Sequence, residues 1–190
     1  MRIANYLVIA GTALVLSLSA NAQSTQQSAN LVAANAVLQT KIDAKTAKAG
    51  DTVVAKLASS IRIPGGTELP RNTLLIGHID QAQAAEHNGA STVILTFDKA
   101  QPKNGQAVAI KATIVGIQPS GTEFFPPDLN PQLKVEQAPN SAHGYSLNSD
   151  VQGANSGVLK ADGKNVRVGD GTELQLAVAP SATGATATGN

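Results

Sequence analysis

Two stretches of the chain, residues 91–98 and 108–117, alternate between apolar and polar side chains one residue at a time. Period-two alternation is typical of β-strands that bury one face and expose the other. The positions expected to face the core are Val93, Leu95, Phe97, Val108, Ile110, Ala112 and Ile114. Lys111 and Thr113 are expected to face water. The connection contains Asn104-Gly105, two residues that tolerate the positive φ of tight hairpin turns, so the pattern predicts a central β-hairpin.

Weaker alternation recurs in residues 36–43, 53–58, 74–80 and 174–178, and turns rich in Gly, Pro and Asn separate these stretches. In the turn at Pro70–Thr73, Asn72 stands where Gly would be expected, and Asn is the non-Gly residue that best accepts a left-handed backbone. We count about seven short strands and no convincing long helix after residue 22. The predicted fold is all-β, a small barrel or sandwich with one long irregular loop.

The N-terminus has the features of a secretory signal. Arg2 precedes an apolar run at residues 7–18, and Ala20-Asn21-Ala22 offers a cleavage site. The run is short for a membrane span, which argues against an uncleaved anchor. We therefore predict a signal peptide at 1–22, a flexible leader at 23–35, a β domain at 36–179 and a disordered tail at 180–190, in a protein that is periplasmic or secreted.

Charge and cysteine content exclude several classes of function. The chain has 14 basic and 13 acidic residues and no Cys. If Arg2 is removed with the signal, 13 basic and 13 acidic residues remain. Because the chain then has no excess of positive charge, we expect neither a nucleic-acid partner nor binding to anionic lipid. Without Cys there is no disulfide and no thiolate zinc site. Aromatic residues are 3% of the chain, so stability must come from buried aliphatic side chains.

Candidate chemistry is sparse. His78 and Asp80 lie two apart in a predicted strand and so share a face, where they would form a metal site or a base with its orienting acid. Such a pair is more often simply solvated. Gly65-Gly66 lacks the strand-to-helix context of a phosphate cradle and is interpreted as a turn. We predict no catalytic residue, no metal and no cofactor.

A long stretch at 119–156 is poor in pattern and concentrates aromatic residues: Phe124, Phe125 and Tyr145. Loops of this length are typically functional or disordered. Phe124-Phe125-Pro126-Pro127 is either a hydrophobic anchor for a protein partner or a lid over one end of the barrel. The three aromatic residues are the predicted partner-binding positions.

The order of the motifs resembles the C-terminal β-barrel domain of the TrbI-like family, the scaffold proteins of conjugation and type IV secretion channels. The matching segments are Gly50-Asp51-Thr52-Val53, Pro70 to Gly77, the hairpin Phe97 to Ile110, and Gly171 to Leu176. The resemblance implies a β-barrel and a place in a secretion channel. In that family a long insertion precedes the final strand, and residues 119–156 occupy the corresponding place.

The sequence therefore favours an exported, non-catalytic β-barrel module with a structural or protein-binding role in the cell envelope. One alternative is a hydrolase or metal-dependent enzyme that uses His78 and Asp80. Another is a self-associating surface protein, which the equal charges and the edge strands of a small sheet favour.

Overall fold

The computed structural model describes residues 31–119, 128–139 and 144–181. Within these ranges the chain forms strands, turns and bends, and no helix, which confirms the all-β class. The strands in chain order are β1 (Val32–Leu38), β2 (Ile42–Asp43), β3 (Thr52–Leu57), β4 (Ile61–Arg62), β5 (Glu68–Leu69), β6 (Leu74–Gln83), β7 (Ala90–Gln101), β8 (Val108–Gln118), β9 (Lys134–Gln137), β10 (Ser146–Asp150), β11 (Gly157–Asp162), β12 (Arg167–Val168) and β13 (Glu173–Pro180). Four of these thirteen strands have only two residues, which is too short to show an alternating pattern. The predicted number, about seven, was therefore too low.

Six strands close into an antiparallel barrel in the order β6-β3-β1-β13-β8-β7, and β7 pairs again with β6 to complete the ring. The predicted hairpin, β7 and β8, forms two adjacent strands of this barrel. Three further strands, β11, β10 and β9, extend from β7 in that order. We call these three strands the side sheet.

The barrel interior is filled with aliphatic side chains. Val93, Leu95 and Phe97 of β7 are each no more than 1% exposed, and Ile110 and Ile114 of β8 face them across the same core. Each such burial contributes about 1.5–3 kcal/mol. The period-two prediction for the central hairpin is therefore confirmed on its inner face.

The outer face of the hairpin differs from the prediction. Thr113 points away from the barrel interior as expected, yet it is 1% exposed. A second apolar layer covers this wall of the barrel. Its buried members are Val115, Val151 and Ala177, with Leu31, Leu129, Leu133 and Val135 packed against them. Part of the chain after β8 folds back over β8 and β13, so this wall is buried on both faces.

Two turn predictions had different outcomes. Asn72 has φ 67°, as predicted for a residue in the place of Gly, and the turn closes through Thr73 N donating to Pro70 O at 3.1 Å. By contrast, neither Asn104 nor Gly105 is among the residues with positive φ. The six-residue connection between β7 and β8 is wider than a tight turn, and Gln101 Nε2 donates to the Gly105 carbonyl at 3.0 Å across it.

The predicted boundaries shift at three places. β1 begins at Val32, inside the predicted leader, because residues 32–37 pair with β13. The stretch 119–156 is not wholly irregular, since it contains β9 and β10. β13 reaches Pro180, the first residue of the predicted tail. The predicted signal peptide at 1–22 and residues 182–190 lie outside the described residues.

Candidate functional site

His78 and Asp80 meet on the outer face of β6. The distance from His78 Nε2 to Asp80 Oδ1 is 3.0 Å. The other oxygen, Asp80 Oδ2, accepts a hydrogen bond from Thr96 Oγ1 at 2.7 Å, and His78 Nδ1 lies 3.8 Å from Asp98 Oδ2. Ile79, between the two residues, points into the core. The prediction that His78 and Asp80 share a face is confirmed.

Gly77, next to His78, lets β6 and β7 approach closely. The register of this pair shifts between Ile76 and Gly77. A Cβ atom on Gly77 would collide with the backbone carbonyl of Thr96, so only Gly fits at this irregularity. The bulge brings Thr96 and Asp98 of β7 beside the outer face of His78, and the cluster therefore follows from strand geometry.

The cluster on β6 and β7 is open to solvent. The side chains of His78, Asp80 and Asp98 are 43%, 32% and 55% exposed. Among the described residues, no group of three or more His, Cys, Asp or Glu side chains is arranged to hold a metal ion. An exposed ion pair of this kind contributes little to stability, and its setting lacks the enclosure that would exclude water from a reaction.

A cleft of about 300 Å³ is lined by residues of the segment 40–53 and by Ile79 of β6. Its two carboxylates already have partners. Asp51 Oδ2 accepts from the backbone N of Lys48 at 2.8 Å, and Asp43 Oδ2 lies 3.2 Å from Arg167 Nε. His78 does not line this cleft, although Ile79 does, and Thr52, another lining residue, is the cross-strand neighbour of His78.

Tyr145, one of the three predicted partner-binding residues, lies in the core. Its side chain is 2% exposed and belongs to the main apolar cluster. Burial raises the pKa of the phenol to about 12. The prediction that its ring faces a partner is corrected: the ring is part of the packing. Phe124 and Phe125 lie outside the described residues.

β7 and β8 are paired along only part of their length. Where they separate, which we call the fork, β11 of the side sheet pairs with β7 in place of β8. Residues 90–95 of β7 pair with β11, whereas the pairs between β7 and β8 run only from Phe97 to Ala100. β8 continues beyond this fork, with β13 along one edge. Its other edge must therefore find hydrogen-bond partners elsewhere.

Ser156 joins the two sides of the fork. Its N donates to Leu95 O at 2.9 Å, and its carbonyl accepts from Ile114 N at 2.8 Å. Its Oγ accepts from Phe97 N at 2.7 Å. Ser156 is 2% exposed, so these bonds satisfy groups on both β7 and β8 that water does not reach.

Side chains from the side sheet complete the pairing of β8. Ser149 Oγ donates to Ile114 O at 2.5 Å. The side-chain amide of Gln137 bonds the backbone of Ile117, as a neighbouring strand would. Gln137 Nε2 donates to the Ile117 carbonyl at 3.2 Å, and Gln137 Oε1 accepts from the Ile117 N–H at 3.3 Å. The side sheet is thus fixed to the barrel by bonds to buried backbone.

β9 is the last strand of the side sheet, and among the described residues it pairs with β10 alone. Lys134 and Glu136 are exposed, while Val135 and Gln137 are half-buried and turn toward the barrel. A strand with one unpaired edge presents N–H and C=O groups to any strand that approaches. This edge is the candidate functional site.

Asp150 fixes Lys134 at one end of this edge. Lys134 Nζ lies 3.3 Å from Asp150 Oδ2, and Asp150 Oδ1 accepts from Gln152 N at 2.8 Å. The Gln152 bond, followed by Lys134 and Lys111, lowers the pKa of Asp150. Burial lowers the pKa of Lys111, against the opposing effect of Asp150. The carboxylate is therefore charged at neutral pH and lies beside Lys134, the first residue of β9.

Two glutamines under the second apolar layer have buried amide atoms without partners. Gln175 is 3% exposed, and across the described structure neither its Nε2 nor its Oε1 has a hydrogen bond; the same holds for Gln118 Oε1. Both residues lie on the outer face of the wall formed by β8 and β13. An unpaired buried amide is costly, so these positions are weak points of that layer.

Sequence reasoning identified the segment that carries β9 but missed the strand itself. The alternation of Lys134 and Glu136 with Val135 and Gln137 was its only signal. The four residues of β9, which lies between Pro131 and Pro139, are too few to distinguish from a loop. The roles of Gln137, Ser149 and Ser156 depend on contacts distant in sequence, which no local pattern reveals.

Comparison with family models, with curated proteins and with solved structures gave no match. No helix among the described residues is long and apolar enough to cross a membrane.

Proposed function

We propose that this chain is an exported, non-catalytic β-barrel module that binds another protein chain in the cell envelope, and that β9 is its contact edge. The observation that carries the proposal is the position of β9: among the described residues it ends the sheet and pairs on one side only, and it exposes Lys134 and Glu136. Strand addition to an open edge is a common mode of peptide recognition, because main-chain hydrogen bonds supply much of the affinity.

The rigidity of the barrel supports this proposal. Small-molecule sites are typically cavities with convergent polar groups, whereas this barrel interior is filled by apolar side chains. The side sheet is attached through buried hydrogen bonds at Ile114 and Ile117. It therefore holds β9 at a fixed place, which reduces the ordering cost of binding.

The enzymatic alternative has less support. His78 and Asp80 have a suitable mutual distance, 3.0 Å, but their side chains lie on an exposed wall of the barrel and do not line the cleft at residues 40–53. A catalytic pair needs a bound substrate beside it and exclusion of water. The resemblance to secretion-channel scaffolds stays a prediction, and a place in a channel is one setting in which the β9 edge would function.

Site-specific photo-crosslinking in the producing cells tests the proposal. A photo-reactive amino acid replaces Glu136 on β9, and a matched variant carries it at Lys99, an exposed position on β7. We expect a discrete protein adduct from position 136 and none from position 99. Absence of any adduct at 136, or equal adducts at both positions, would contradict the proposal.

A further inference from the structure

We infer that the strand which pairs with β9 is the β9 of a second copy of this chain, in an antiparallel arrangement centred on Val135. This inference rests on the proposed function, since it names the partner for the same edge. It follows from the sequence Lys134-Val135-Glu136 at the open edge and from the faces that these residues occupy.

The order of charges on β9 selects this arrangement. When two antiparallel copies are centred on Val135, Lys134 of each copy stands opposite Glu136 of the other. Two opposite-charge cross-strand pairs form, and each contributes to the stability of a sheet. A parallel, in-register arrangement would instead oppose Lys134 to Lys134 and Glu136 to Glu136, which is destabilising.

The faces of β9 are also compatible with a two-fold axis through Val135. Lys134 and Glu136 lie on the exposed face, and Val135 and Gln137 turn toward the barrel. Rotation about an axis perpendicular to the strand pair keeps exposed residues with exposed residues. The resulting interface is isologous, so it closes after two copies and does not propagate into a filament.

Charge and strand length set the strength of this association. The chain after residue 22 has equal numbers of acidic and basic residues, so there is little general repulsion between copies. β9 has four residues, with Pro131 and Pro139 close to its ends, and Pro cannot extend a hydrogen-bonded ladder. The interface is small, and we expect a weak dimer with a dissociation constant between about 10 µM and 1 mM.

Sedimentation velocity of the protein purified after export, over that concentration range, tests the inference. The expected result is a reversible monomer–dimer equilibrium. Lys134→Glu or Glu136→Lys alone opposes like charges and should weaken the dimer at least about tenfold. The double variant K134E/E136K restores opposite charges between the two copies and should recover part of that loss, because it does not restore the ion pair between position 134 and Asp150. Lys99→Glu, an exposed charge reversal on β7, should leave the equilibrium unchanged.

Circular dichroism of every variant separates loss of fold from loss of association. A protein that stays monomeric up to about 1 mM would overturn the inference, as would a dimer that K134E and E136K do not weaken or that K134E/E136K does not recover. A monomer that still forms a β9 adduct with a different protein in the crosslinking experiment would overturn the second-copy assignment alone. In that outcome the proposed function stands.

Discussion

Ser156 Oγ accepts a 2.7 Å hydrogen bond from Phe97 N at the point where β7 parts from β8. Both groups are buried, and the same serine bonds Leu95 and Ile114 through its backbone. Buried hydrogen bonds therefore attach the side sheet to β7 and β8 of the barrel, and this attachment fixes the position of β9.

The Ser156 hydroxyl makes a measurable contribution to stability. Ser156→Ala leaves Phe97 N buried without its acceptor, which should cost about 1–3 kcal/mol in the free energy of unfolding. Urea denaturation measures the change. Ser59→Ala, at an exposed bend, is the control and should stay within about 0.5 kcal/mol. Equal effects of the two substitutions would show that the fork does not depend on this bond.

The same substitution at two glutamines should have different effects on stability. Gln137→Leu removes both bonds to Ile117 and should destabilise the protein by about 1–3 kcal/mol. Gln175→Leu replaces a buried amide that has no partner in the described structure and should leave stability unchanged or raise it by about 1 kcal/mol. Thermal and urea unfolding measure both. A loss at position 175 as large as that at 137 would be inconsistent with the described burial.

Gly77 should not tolerate a side chain. Gly77→Ala places a methyl group against the backbone carbonyl of Thr96, and relief requires β6 and β7 to move apart, at a cost of about 3 kcal/mol. Gly169→Ala is the matched control, since a Cβ there meets nothing within 4 Å. The measurement is the midpoint of urea unfolding. A variant G77A as stable as G169A would refute the close approach of these strands.

Tyr145 should make stability depend on alkaline pH. Burial raises its pKa from 10.0 to about 12, so the folded state favours the neutral phenol. This contribution is complete below pH 10 and is lost as pH rises toward about 12. If residues 1–22 are removed, Tyr145 is the sole tyrosine, because Tyr6 leaves with them. Phenolate absorbance should therefore appear near pH 12 or on unfolding, and Tyr145→Phe should remove this part of the pH dependence. Ionisation near pH 10 in the folded protein would contradict the burial.

The elements that the sequence predicted well are those set by local chemistry. Val93, Leu95 and Phe97 alternate because one face of β7 lines a core, and Asn72 marks a left-handed turn by its type alone. His78 and Asp80 met as expected because strand geometry puts them on one face. Each of these patterns is contained in a few neighbouring residues.

The misses concern contacts between distant parts of the chain. Thr113 is polar, yet it is buried on the wall that the second apolar layer covers, and that layer includes residues distant from it in sequence. Tyr145 lies in an irregular stretch of sequence, yet its ring reaches the main core. The candidate edge depends on β11 and β10, which lie between β7 and β9 and so place β9 at the end of the sheet. This is a property of topology that the four residues of β9 do not encode.

Residue-resolved amide hydrogen exchange, at a concentration below that of self-association, tests the central claim most directly. Exchange reports which backbone groups are bonded and protected. The account predicts strong protection at Ile114 and Ile117, whose N–H groups donate to Ser156 O and to Gln137 Oε1, together with rapid exchange at alternate residues of β9. Fast exchange at Ile114 and Ile117, or uniform protection along β9, would contradict a closed barrel that holds an open strand edge.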